Sequence, residues 1–292
     1  MDYQQFVRVV EQEVKGNAGT GVRVQLHTVM KNNGKERVGL AISEEKINIS
    51  PTIYLEEYFE KFRQGREISN IVESILQLYE EVRFEHSWEG KYVRDFEKVK
   101  KQVVYKVINY KKNAELLNEI PYVGFLDLAV VFYVLLELNQ HGTATMTIRN
   151  EHLKGWGVSR EELLKAAQEN TVRLLPAEFK TMKTVLEEML TLNIAEDTED
   201  YMYVLSNPMK NFGACCILYD GILEKIGNRL GGNYYILPSS VHEVIIIPEN
   251  QSPGKKELRI MITEINETQV AEEEILSNVP YYYVREKKQL FL

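Results

Sequence analysis

Only two cysteines occur in the chain, Cys215 and Cys216, and they are adjacent. Two neighbouring thiols cannot staple a small secreted scaffold, and their geometry is poor for sharing one metal ion, so a reducing compartment is expected. Positive charge is also short. The 35 lysines and arginines against 43 aspartates and glutamates leave a net charge of -8, which excludes a surface that coats nucleic acid or anionic membrane throughout. Long apolar runs are missing as well. The most apolar stretch, Leu126 to Leu138, carries Asp127 and Glu137 and falls short of the roughly 20 residues that span a bilayer. The opening Met1-Asp2-Tyr3-Gln4-Gln5-Phe6 has neither the basic start nor the apolar run of a secretory signal. The expectation is a cytoplasmic protein without membrane contact.

Several enzyme signatures are lacking too. No glycine-rich loop carries the lysine of a phosphate cradle, and Gly227 to Gly232 closes a helix, where carbonyls rather than amides are exposed. The five histidines, His27, His86, His141, His152 and His242, show no chelating spacing, and His242-Glu243 lacks the second histidine one helical turn on that a zinc helix needs. No cofactor and no metal are expected. A Gly-x-Ser-x-Gly nucleophile elbow is also missing.

What remains is the composition of an ordinary globular chain, 44% hydrophobic and 27% charged over 292 residues, ample for a full core. Phe6, Val9, Val10 and Val14 form a helical stripe between a cap at Asp2 and a stop at Gly16. Val22 to Met30 alternates and leads through Asn32-Asn33-Gly34 into Arg37 to Ile42, a hairpin. Helical spacing recurs over Thr52 to Phe62, Ile68 to Val82 and Ala177 to Leu192, and Ser159 with Glu162 has the capping-box spacing before another helix. Phe125 to Leu138 and Thr143 to Asn150 read as a strand pair, with a helix as the rival reading for the first, and Tyr201 to Leu205 as a short strand. From Asn207-Pro208, a good helix opening, Phe212, Cys216, Tyr219, Leu223, Ile226 and Leu230 make one apolar seam ended by Gly231-Gly232. That seam places Cys216 and Leu223 on one buried helix face and leaves Cys215 partly accessible. Leu258, Met261, Ile262 and Ile265 form a further helix, and Tyr281 to Val284 with Gln289 to Leu292 a closing hairpin.

The fold expected is α+β, with mixed sheets, packed helices and a C-terminal strand-helix-strand unit. It divides into an N-terminal hairpin-plus-helices lobe, 1–115, and a C-terminal α+β lobe, 116–292, packed together. One charge asymmetry stands out. Lys91, Arg94, Lys98 and Lys101 fall on one helical stripe opposite Tyr92, Phe96, Val99 and Val103. This is the one candidate basic face for nucleic acid; a solvated helix is the preferred interpretation, and nucleic-acid binding is not expected.

The stretch Gly231 to Pro248 concentrates the remaining chemistry. Two β-prone runs, Tyr234 to Leu237 and Val244 to Ile247, flank a polar insert of Ser239, Ser240, His242 and Glu243. Ser240 and Glu243 have capping-box spacing, which makes the insert a cap for a single helical turn, with Ser240 Oγ accepting from the Glu243 amide. The alternative is a hydrolase site with a serine nucleophile, His242 as base and Glu243 as orienting group, although residues so close in sequence seldom converge as a triad does.

The order of features resembles a known group. Asn113 to Asn170, including Gly124-Phe125-Leu126-Asp127-Leu128-Ala129-Val130, then Leu163 to Thr171, Asn211-Phe212-Gly213-Ala214 and Tyr235 to Glu243, resemble a family of bacterial proteins of unknown function common in gut Firmicutes. Asp127 to Glu264 is similar to a second such bacterial family. The resemblance implies the fold and a cytosolic origin and carries no activity or catalytic residue. The functional expectation is a protein that binds a protein or small-molecule ligand, against the hydrolase alternative.

Overall fold

Asp2 starts the first helix through a reciprocal cap. Its carboxylate accepts from the Gln5 amide at 2.8 Å and the Gln5 side chain accepts from the Asp2 amide at 3.1 Å, satisfying two orphan donors at the head of α1 (Tyr3–Asn17). The structure, a computed structural model, describes residues 1–44, 47, 50–83, 93–139, 142–190 and 201–292. It divides into two units, Met1–Arg94 with Leu138–Gly142, and Asp95–Glu137 with Thr143–Leu292.

In the first unit β1 (Val22–Met30), β2 (Glu36–Glu44) and β3 (Thr52–Tyr54) form an antiparallel sheet in that order. Asn33 and Gly34, both at positive φ, close the β1–β2 hairpin. Phe6, Val10 and Val14 of α1 pack with Leu40, Ile42 and Ile53 of the sheet and Ile71 and Ile75 of α3 (Ile68–Val82). The helix expected from Thr52 starts four residues later, as α2 (Glu56–Arg63). Thr52 and Ile53 instead pair with Ala41 and Leu40, a place that suits β-branched residues.

The second unit holds two sheets. In one, β4 (Val103–Asn109) and β5 (Tyr122–Phe125) flank β6 (Leu128–Asn139), and β7 (Gly142–Thr147) also pairs with β6. α4 (Phe96–Val99) and α5 (Ala114–Leu117) precede and follow β4; α6 (Asn150–Trp156) and α7 (Arg160–Leu174) follow the sheet. The boundary expected at 115/116 falls within α5, between two strands that both pair with β6. Ser159 and Glu162 cap α7 reciprocally, as their spacing suggests. α7 is fixed to β4 where Thr171 Oγ1 accepts from the Tyr105 amide at 3.1 Å and Asn170 Nδ2 donates to the Val103 carbonyl at 3.0 Å.

The long basic helix does not form. Asp95 caps the single turn of α4, a 3-10 turn Lys100–Gln102 follows, and the chain then enters β4. Pairing of β4 with β6 overrides the helical stripe, so Arg94, Lys98 and Lys101 do not share one helix face; Lys91 lies outside the described residues.

The second sheet has six strands, β8 (Glu178–Thr181), β9 (Tyr203–Ser206), β10 (Tyr234–Leu237), β11 (Val244–Pro248), β12 (Tyr281–Val284) and β13 (Gln289–Phe291), ordered β13-β12-β10-β11-β9-β8. Neighbours run antiparallel. β9 and β10 are each antiparallel to the β11 between them, so the expected strand-helix-strand unit is present and crosses over β11. Around the sheet lie α8 (Met182–Leu190), α9 (Ile222–Leu230) and α10 (Lys255–Thr268). α9 covers the face bearing Tyr234, whose hydroxyl donates to the Leu223 carbonyl at 2.9 Å. α10 covers the other, with Leu258 and Ile262 against Leu237 and Ile247.

Two expected helices are corrected here. Ala177 to Leu192 opens as strand β8 because Glu178 to Thr181 pairs with Tyr203 to Ser206. The seam from Phe212 to Leu230 is not one helix but a 3-10 turn, Gly213–Leu218, followed by α9 after Gly221 at φ 69°. Asn207 closes a loop instead of opening a helix. Its Oδ1 accepts from the Met209 amide at 3.1 Å and its Nδ2 donates to the Asn211 carbonyl at 2.9 Å, a local bond that competes with helix propagation. Cys215 and Cys216 are both fully buried, contrary to partial access for Cys215, and half-buried Leu223 lies beyond the break from Cys216.

Candidate functional site

Strand alternation builds a floor. Glu178 and Lys180 of β8 stand opposite Ser206 and Val204 of β9, and Val204 stands opposite Ile245 of β11, so these side chains share one sheet face. α8 lies over them with Met182, Val185, Leu186 and Met189 at i, i+3, i+4 and i+7, one helical stripe. Gln269 and Val270, just past α10, and Glu274 form the facing wall. The cavity so enclosed measures about 460 Å³ and is also lined by Ser240, His242 and Glu243. Three of the four residues singled out in the sequence therefore meet in one place. Ser239 is buried but does not line the cavity.

The insert is held from both sides by backbone bonds. The Leu276 amide donates to the Ser239 carbonyl at 2.9 Å, the Val241 amide to the Glu274 carbonyl at 2.9 Å, and the Ala214 amide to the Val241 carbonyl at 3.2 Å. Ser240 Oγ accepts from the His242 amide at 3.0 Å and hydrogen-bonds the Glu243 carboxylate. The partner two residues on makes this a hydroxyl-stabilised turn; the expected cap on the Glu243 amide is corrected, because β11 begins directly at Val244 and leaves no helical turn to cap.

His242 is fixed through every polar atom. The Phe212 amide donates to its Nδ1 at 3.3 Å, its Nε2 faces Glu274 Oε1 at 3.2 Å, and Ser206 Oγ donates to its carbonyl at 2.7 Å. An Nδ1 that accepts leaves the ring proton on Nε2, pointed at the Glu274 carboxylate. The ring also stacks on Phe212 with centroids 5.8 Å apart and planes 18° off parallel. Neither serine hydroxyl bonds to an imidazole nitrogen, so the arrangement is not that of a nucleophile and its base.

Charge is distributed unevenly. Lys180 bridges Glu178 at 3.2 Å and Glu188 at 2.9 Å, and Lys210 lies 3.9 Å from Glu188, so the end under α8 is balanced. The lining also carries Glu243 and Glu274, the latter facing the His242 imidazole. Burial pushes the Glu243 carboxyl above its ordinary range, Glu274 adds to the rise, and His242 and the Ser240 hydroxyl oppose it.

Sequence reasoning missed Glu274, Phe212, Ser206 and the α8 stripe. One signal was available in Asn211-Phe212-Gly213. A Cβ on Gly213 would sit 2.2 Å from Ser206 Oγ and 2.5 Å from the His242 carbonyl oxygen, so only glycine admits so close an approach. Among the described residues no three His, Cys, Asp or Glu side chains are grouped to hold a metal ion, and no helix is long and apolar enough to cross a membrane.

The fold and the site together define an α+β protein with an amphipathic groove on one sheet face. By sequence the chain belongs to a family of unknown function, DUF5688, whose match spans residues 3–285. No curated protein and no solved structure matches it significantly.

Proposed function

We propose that this is a cytoplasmic protein that binds a small amphipathic ligand in the groove between α8 and the segment after α10, without hydrolysing it. The observation that carries this reading is the meeting of Ser240, His242 and Glu243 with an apolar helix face in one cavity of about 460 Å³. That volume lies in the range of small-molecule sites, which combine apolar walls with few polar groups. Leu186 and Met189 remain 38% and 66% exposed there, and an exposed apolar surface lining a concave site marks a place for a ligand. His242, with Nδ1 on the Phe212 amide and Nε2 toward Glu274, serves as a fixed polar wall in place of a base.

The test is a thermal-shift screen of small amphipathic compounds on the parent and on Met189→Asp, whose side chain is exposed enough for the variant to fold. Compounds that raise the parent's melting temperature should lose their effect in Met189→Asp. Turnover of ester or amide substrates that disappears in Ser240→Ala would overturn the reading in favour of a hydrolase.

A further inference from the structure

We propose that acid releases the 207–212 segment of the groove wall, with His242 as the group that takes up the proton. Asn207 and Lys210 of that segment line the groove, so its release alters the site, whatever ligand the groove holds. The bonds around the imidazole carry the inference. A neutral ring has one acceptor nitrogen and one donor. Both are used here, since the Phe212 amide donates to Nδ1 at 3.3 Å and Nε2 faces Glu274 Oε1 at 3.2 Å. An imidazolium has two donors and no acceptor. Protonation at Nδ1 therefore sets one N–H against another and breaks the Phe212 bond, while the bond to Glu274 becomes charge-assisted on both sides. The ring stays with Glu274 and lets go of Phe212.

Phe212 is the residue placed to respond. It holds φ 54°, a left-handed conformation that a bulky side chain keeps only where its surroundings enforce it, and the Nδ1 bond is one of those restraints. The charged groups around the ring come from three elements. Glu274 lies on the facing segment and Glu243 beside His242 in the insert, and both attract the added charge. Lys106 of β4 holds its ammonium 4.2 Å from the centroid of the Phe212 ring, so protonation brings a second cation to the aromatic ring that stacks on the imidazole. The anchors on either side do not titrate. Ser206 Oγ donates to the His242 carbonyl at 2.7 Å and the Ala214 amide to the Val241 carbonyl at 3.2 Å, which confines the release to the residues between them.

The experiment is amide hydrogen exchange by mass spectrometry on the full chain at pH 7.5 and 5.5, each rate taken relative to the intrinsic rate at that pH. Protection over 207–213 should fall by about tenfold at pH 5.5, the factor expected when a part-buried amide loses its acceptor. Over the same interval α7 should change by less than about twofold, because the opening is local. His242→Asn keeps an acceptor oxygen at the place of Nδ1 and cannot take up the proton, so its protection over 207–213 should be the same at both pH values. Glu243→Gln should retain the parent's fall, which separates His242 from the titrating carboxyl beside it. Equal protection in the parent at the two pH values, a fall that persists in His242→Asn, a fall lost in Glu243→Gln, or a matching fall in α7 overturns the proposal.

Discussion

Gly213→Ala is the substitution that most directly probes how the site is held. Gly213 does not adopt a left-handed conformation, so the cost is steric. The new methyl would lie 2.2 Å from Ser206 Oγ, 2.5 Å from the His242 carbonyl oxygen and 2.8 Å from Ser206 Cα. Two of those three atoms are backbone, and no rotamer change relieves them. Overpacking of this kind costs about 1–3 kcal/mol. Displacing Ser206 Oγ also breaks its 2.7 Å bond to His242, worth about 1 kcal/mol, for a total of roughly 2–4 kcal/mol. At about 2–4 °C per kcal/mol for a chain of this size, calorimetry should record a melting temperature lower by roughly 5–15 °C. Gly155→Ala is the internal control. It sits in α6 with nothing within 4 Å of its Cβ position, so alanine should be neutral or stabilising by up to about 1 kcal/mol. A Gly213→Ala variant within about 0.5 kcal/mol of the parent would refute the close packing of the 206–213 loop on the insert.

Further outcomes follow from the same geometry. Cys215 and Cys216, both fully buried, should resist a thiol reagent in the native protein and react only as it unfolds; prompt modification of either would contradict the burial. Ser240→Ala removes the acceptor for the His242 amide and should lower stability by about 0.5–1.5 kcal/mol in urea unfolding; no change would show that the turn does not depend on it. Burial raises the Glu243 carboxyl above its ordinary 4.5, so just above that pH the native state binds more protons than the unfolded state and this group's contribution is lost as pH rises. Melting curves from pH 4 to 7 should therefore show Glu243→Gln gaining on the parent as pH rises, and parallel curves would contradict the shift. Arg94, Lys98 and Lys101 no longer share a helix, so fluorescence anisotropy should find no tight, salt-sensitive binding to duplex DNA; a steep salt slope lost on reversing these charges would show the opposite.

The elements legible in the sequence are those whose determinants are local. The caps at Asp2 and Ser159 and the hairpin at Asn33-Gly34 each rest on partners within about four residues, and all three formed as expected. The errors have the reverse character. Thr52-Ile53 and Glu178 to Thr181 carry helical spacing but find strand partners far away in sequence, at Leu40-Ala41 and Tyr203 to Ser206, and tertiary pairing outweighs weak intrinsic propensity. The seam from Phe212 to Leu230 misled for a second reason. A 3-10 turn followed by an α-helix preserves much of the same apolar spacing, while Gly213 and Gly221 mark where the backbone departs from it.

For the site, composition alone located Ser240, His242 and Glu243, since polar residues between two buried strands need partners. Ser240 does find partners within the insert, in the His242 amide and the Glu243 carboxylate, but neither interpretation located what holds the imidazole ring. The imidazole is instead set by Phe212 and Glu274, about thirty residues away on either side. Phe212 has φ 54°, a conformation costing a bulky residue roughly 1–2 kcal/mol. Stability alone would favour glycine or asparagine there, which adopt that conformation more cheaply. Phenylalanine gives what they lack, an aromatic face stacked on His242 while its own amide engages Nδ1. The local cost thus fixes the plane and tautomer of the imidazole and directs Nε2–H toward Glu274, the kind of support from neighbouring groups that holds a polar side chain in one geometry.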